Sequence, residues 1–157
     1  MSCGICERIE QINTGANPHF VAELQTGYVV VGDHQLFRGY ALLLHKEHKT
    51  ELHELEHIEK MAFLEEMSIV AEAVYKAFKP EKLNYELLGN GMPHMHWHIF
   101  PRHADDLRPI GPVWVIDKSM RYGDKAAPSP ELRIALKRDL LTQLRHLASD
   151  RIVRGFE

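Results

Sequence analysis

The sequence predicts an α+β domain. Strand-like and helix-like stretches follow in the order β-β-β-α-β-β-α, with no internal repeat and no βαβ alternation of the kind that builds a parallel sheet. At 157 residues, 45% of them hydrophobic, the chain suits one domain, 1–157, with a single core.

Asn17-Pro18 reads as a turn, and residues 19–24 and 28–31 as two strands of a hairpin separated by Thr26-Gly27. The apolar run 40–45 has the length of a third, largely buried strand. Across 52–78 apolar residues recur near the 3.6-residue period (Leu52, Leu55, Ile58, Ala62, Val74, Phe78), which predicts one long amphipathic helix. It ends at Lys79-Pro80, where proline lacks the donor to continue. Residues 83–88 and 92–100 read as two more strands, bounded by Gly89-Asn90-Gly91 and closed by Pro101. The leucine-rich stretch 130–148 predicts a C-terminal helix.

A net charge of −3 supplies no field to attract nucleic acid or an acidic membrane, so neither is expected as a partner. The first residues lack a basic region followed by an apolar one, and no stretch has bilayer-spanning length. Two cysteines, both within the first six residues, make no disulfide framework. A reducing, cytoplasmic location is the expectation.

Eleven histidines are the anomaly, because imidazole is chiefly a ligand, a proton carrier and a phosphate contact. Two patterns compete: His94-x-His96-x-His98, and His53-Glu54-Leu55-Glu56-His57, which matches the zinc-protease form H-E-x-x-H. On a helix His53 and His57 would lie one turn apart, but Leu52, Leu55 and Ile58 mark the buried face, so both histidines are expected in water; no third ligand follows at the metzincin spacing, which leaves a downstream Glu such as Glu72 for that place. In the other pattern Met95, Trp97 and Ile99 alternate with the histidines. On a strand, that places three imidazoles on one face and the apolar residues on the core side. A neutral imidazole is a good nucleophile toward phosphorus, and neighbouring donors stabilise charge on phosphoryl oxygens. This chemistry points to nucleotidyl transfer through a covalent histidine intermediate, with His96, His98 and His94 as the catalytic candidates.

Cys3-x-x-Cys6 has three readings: a redox pair, half of a zinc site, or two incidental thiols. A thioredoxin-like pair would follow a strand, and none precedes it. His19, His34, His103 and His146 read as surface residues, and Trp114 as core, dimer contact or a lid over a base.

Residues 94–102, His-Met-His-Trp-His-Ile-Phe-Pro-Arg, resemble the signature of the histidine triad (HIT) family, and the likeness runs over residues 1–105, leaving 106–157 as a C-terminal extension with a helix. The resemblance implies an antiparallel five-stranded sheet with the long helix packed on it, usually in a homodimer. It implies His96 as the nucleophile, with His98 and His94 near the phosphate, in a hydrolase or transferase acting on a dinucleoside polyphosphate or nucleoside phosphoramidate. Asp33 matches the family's acidic residue at the ribose, and Asn90 stands where many members have a phosphate-contacting glutamine. Gly91 lacks the hydroxyl usual at the next position. Members with an N-terminal cysteine pair imply a structural zinc on Cys3, Cys6, His48 and His94, with His45 the rival for the third ligand. Three other readings stand beside the enzyme: a nucleotide-binding module without turnover, a zinc protease using His53, Glu54 and His57, and a purely structural zinc domain.

Overall fold

The computed structural model describes residues 3–106 and 111–157; residues 107–110, within the C-terminal extension, lie outside the described part. Helix α1 (Gly4–Asn13) leads into a hairpin of β1 (Phe20–Glu23) and β2 (Gly27–Val31), then β3 (Ala41–His45), helix α2 (His57–Phe78), and the strands β4 (Lys82–Glu86) and β5 (His96–Arg102). The short helix α3 (Lys118–Arg121), the long helix α4 (Pro130–Ala148) and a two-residue strand β6 (Arg154–Gly155) complete it. One antiparallel sheet has the order β4-β5-β3-β2-β1-β6, which bears out the α+β reading. Among the described residues it has six strands where five were expected. The sixth is an Arg-Gly pair bonded to Ala22 and Glu23, too short and too polar to give an alternating pattern.

Strand parity sorts the core. Val29, Val31 and Leu43 face α2 and α4, together with Phe63, Val70, Val74, Leu140 and Leu144. Tyr28, Val30 and Leu44 face the other way and meet Ile5, Ile9 and Ile12 of α1. All of β2 is therefore buried, one face beneath each layer. The register pairs Leu42 with His98 and Leu44 with His96, so both histidines share the α1 side of the sheet.

The helix expected over 52–78 is broken. Leu52–Glu54 form a single 3₁₀ turn, Leu55 and Glu56 are extended (ψ 139° and 151°), and α2 starts only at His57. Leu55 is buried among the core residues, so the chain turns inward there while the apolar spacing continues unbroken. At its far end α2 stops on Lys79 in the left-handed conformation (φ 49°), whose N–H reaches the Tyr75 carbonyl, just before Pro80. Helix α4 starts as its sequence dictates, with Ser129 accepting from the Leu132 N–H and Pro130 at the first turn.

A buried carboxylate fastens α2 to the hairpin. Glu66, fully buried, accepts hydrogen bonds from the Gln25 N–H (2.9 Å), the Thr26 N–H (3.1 Å) and the Thr26 hydroxyl. Burial raises its carboxyl above the ordinary value, against the pull of these donors.

Candidate active site and metal centre

The three triad histidines do not share one strand face. The strand expected over 92–100 begins at His96, because Pro93 cannot donate to a ladder and Met95 bonds instead to Lys49 and His45 main-chain groups (2.8 and 3.1 Å). His94 lies in this lead-in, fully buried, and its ring turns toward the start of α1.

There its Nδ1 stands 3.7 Å from Cys3 Sγ and 3.4 Å from Cys6 Sγ, while His48 Nδ1 stands 3.4 Å from Cys6 Sγ. The four ligand atoms lie within 4.8 Å of one another. Zn–S bonds of about 2.3 Å and Zn–N bonds of about 2.0 Å at tetrahedral angles put sulfur and nitrogen roughly 3.5 Å apart, so the spacing fits a closed Cys₂His₂ site. The outer nitrogen fits too. His94 Nε2 reaches the His45 carbonyl at 2.8 Å; a carbonyl only accepts, so the ring proton is on Nε2 and the Nδ1 lone pair faces the sulfurs. Burial and the adjoining Cys3 push the Cys6 thiol up, an effect a bound cation would reverse.

His45 is not in this group. It is fully buried on the opposite side of the sheet, edge-on to Phe63 of α2 and 3.3 Å from a Glu59 carboxylate oxygen. Nor do His53, Glu54 and His57 form a centre: the helix break separates the two histidines, and the Glu54 carboxylate accepts from Thr50 N–H and hydroxyl.

His96 is buried and its Nδ1 donates to the His94 carbonyl at 2.7 Å, which leaves the lone pair on Nε2. Burial lowers its basicity, partly offset by that bond, so the ring is held toward its neutral, nucleophilic form. The His98 ring lies 4.6 Å from that of His96, centroid to centroid. It stacks within 7° of the Phe100 plane, meets Trp114 edge-on at 5.7 Å and bonds through Nδ1 to the Tyr40 hydroxyl at 2.6 Å. Burial and the neighbouring His96 push His98 down to about 3.

Asn90 and His96 line one pocket of about 210 Å³ together with Thr50, Glu51 and Leu87. Asp33, just after β2, lines a separate groove with Arg8, His19 and Met92. Arg8 of α1 grips both Asp33 oxygens, the longer bond at 2.8 Å. Burial works against charge on Asp33, but the guanidinium outweighs it and holds the carboxyl below its ordinary value. His19 is half-buried with Nε2 3.6 Å from Asp33, so it belongs to this groove and not to the open surface.

Four residues here were not singled out from the sequence: Arg8, Tyr40, Glu86 and Arg121. Trp114 donates through Nε1 to Glu86 (2.5 Å) and carries the Arg121 guanidinium 4.8 Å over its ring, so within its own chain it walls the side of His98 and Phe100. For α1 a signal did exist in the helical spacing of Ile5, Ile9 and Ile12.

The HIT domain family model matches residues 15–105. The chain belongs to the HIT family. A search of curated proteins finds no match. Among solved structures, a histidine triad protein from Marinobacter aquaeolei is 25% identical, with 83% of this chain and 90% of that one covered at a TM-score of 0.68. At lower identity, where the likeness concerns the fold alone, two others are similar. A zinc-bound histidine triad family protein from Mycobacterium smegmatis is 20% identical, covering 96% and 98% at a TM-score of 0.57. The diadenosine triphosphate hydrolase of Plasmodium falciparum, in complex with cyclomarin A, is 16% identical, covering 82% and 78% at 0.59. This HIT protein has no described helix long and apolar enough to cross a membrane.

Proposed function

We propose that this HIT protein is a nucleotidyl hydrolase or transferase that cleaves a dinucleoside polyphosphate or nucleoside phosphoramidate at the α-phosphate. The observation that carries the reading is the pairing of His96 and His98, one imidazole with a free Nε2 lone pair beside a second imidazole, both neutral at pH 7. His96 Nε2 attacks the α-phosphorus, the bond from phosphorus to the leaving group breaks, and the electron pair departs with that group. Water then attacks the same phosphorus and gives up a proton to solvent, which likewise protonates a departing amine; the N–P bond breaks, and nucleoside monophosphate leaves with His96 restored. His98 faces the phosphoryl oxygens. Asn90, on the pocket shared with His96, contacts phosphate. Asp33 takes the ribose hydroxyls: a carboxylate has about four lone-pair sites, of which Arg8 occupies two.

Cys3, Cys6, His48 and His94 would hold zinc, whose four protein ligands leave no position for water or substrate, so its contribution is to tie α1 to the lead-in of β5. His94 is then a structural ligand, and catalysis rests on His96 and His98. We place the protein in the cytoplasm as a homodimer of one-domain chains without a nucleic-acid or membrane partner. The packing of α4 on α2 and of β6 on β1 supports a single unit.

The test offers adenine and guanine dinucleotides and phosphoramidates to the purified protein and reads nucleoside monophosphate release. Wild type should turn over at least one of them, and His96→Ala should lose about 10³-fold or more while still binding the nucleotide. Binding without turnover by the wild type would favour the non-enzymatic module, and a His96→Ala variant within about tenfold of wild type would remove His96 as nucleophile.

A further inference from the structure

Resting on that reading, we propose that Tyr40 is a positioning residue that fixes the tautomer of His98. Its phenol donates to Nδ1, the ring proton is thereby kept on Nε2, and this N–H is what the enzyme offers to a phosphoryl oxygen.

Tyr40 lies just before β3, its hydroxyl 2.6 Å from His98 Nδ1, and among the described residues no other acceptor is recorded for it. Burial raises the phenol well above its ordinary value, so it stays protonated and must donate or leave a desolvated proton unmatched. The bond is possible because residue 32 is glycine: a Cβ there would collide with the Tyr40 ring.

Neither Phe100 nor Trp114 can make this choice, and among the described residues no hydrogen bond joins the His96 ring to that of His98. Phe100 stacked on one side and the Trp114 edge fix the ring plane, but neither distinguishes one protonated nitrogen from the other. Tyr40 does, because a donated proton requires a lone pair on Nδ1. His96 is set in the opposite sense by the His94 carbonyl, with its proton on Nδ1 and its lone pair on Nε2. The adjoining rings thus offer a nucleophile and a donor. With the opposite tautomer, His98 would turn a second lone pair toward the negative phosphoryl oxygens. The low basicity of His98 agrees with a fixed neutral donor that does not shuttle protons.

The experiment is long-range ¹H–¹⁵N correlation on histidine-labelled protein, paired with kinetics. Wild-type His98 should show the Nε2–H tautomer. Tyr40→Phe keeps the ring stack and removes only the proton; it should give a detectable Nδ1–H population at His98 and a kcat about tenfold lower with little change in KM. Wild-type His98 found as Nδ1–H overturns the proposal even if the variant does not fold. So does a folded Tyr40→Phe protein whose His98 tautomer or kcat is unchanged. The tautomer measurement needs no substrate, so a wild type that turns over no nucleotide would instead overturn the nucleotidyl-transfer reading.

Discussion

The His94 carbonyl accepts the Nδ1 proton of His96 at 2.7 Å, while the His94 ring turns away toward Cys3 and Cys6. One residue thus joins two sites: its side chain belongs to the cysteine cluster and its main chain sets the tautomer of the candidate nucleophile.

This coupling predicts the behaviour of the metal. Protein purified without chelator should carry one zinc per chain, and Cys3→Ser with Cys6→Ser should lose it. Chelation should lower the melting temperature more than it lowers the activity of still-folded protein, because a closed site acts on stability. Zinc content well below one per chain, by elemental analysis, would return His94 to the catalytic group.

Asp33→Asn should weaken ribonucleotides more than 2′-deoxynucleotides, by several-fold, since a charged acceptor for the ribose hydroxyls is lost. The same change strips Arg8 of its ion pair, so Arg8→Ala serves as the control for damage to the groove. Equal losses for both sugars in titration calorimetry would place the ribose elsewhere.

Stability should fall on the acid side of neutrality. His98 sits at about 3 in the folded protein against 6.5 for the free side chain, so the unfolded chain binds the extra proton. Its contribution is complete above pH 6.5 and is lost as pH falls toward 3, at up to about 1.4 kcal/mol per pH unit. The groups facing it are His96, the Tyr40 phenol and the Trp114 indole held by Glu86; His96 is lowered as well and works in the same direction. Urea midpoints of His98→Gln between pH 6.5 and 4 should show a shallower slope than wild type; parallel slopes would refute the assignment.

Glu66→Ala should be among the most damaging single changes outside the site. It leaves two main-chain N–H groups and the Thr26 hydroxyl without an acceptor in the interior, at a cost of about 3 kcal/mol. Glu66→Gln keeps one oxygen acceptor and should cost less. Urea denaturation that ranked the two alike would mean the carboxylate is not what fastens the turn.

The sequence by itself determined what is local. Two-residue periodicity in His96-Trp97-His98-Ile99 was enough to put two imidazoles on one face and two apolar residues in the core, because strand geometry leaves no other arrangement. It also supplied the hairpin, the stop of α2 at Pro80 and the extent of α4 from Pro130 to Ala148. The tertiary structure decided which distant groups meet. His45 and His48 look alike as ligands in the sequence, yet His45 is still in β3, one residue past Leu44, so parity sends it under α2. His48 lies beyond the strand end, where the chain is free to turn toward α1. Arg8 with Asp33, and Tyr40 with His98, are separated by 25 and 58 residues. No local pattern records such pairs, because they exist only once the sheet register and the docking of α1 bring the side chains together.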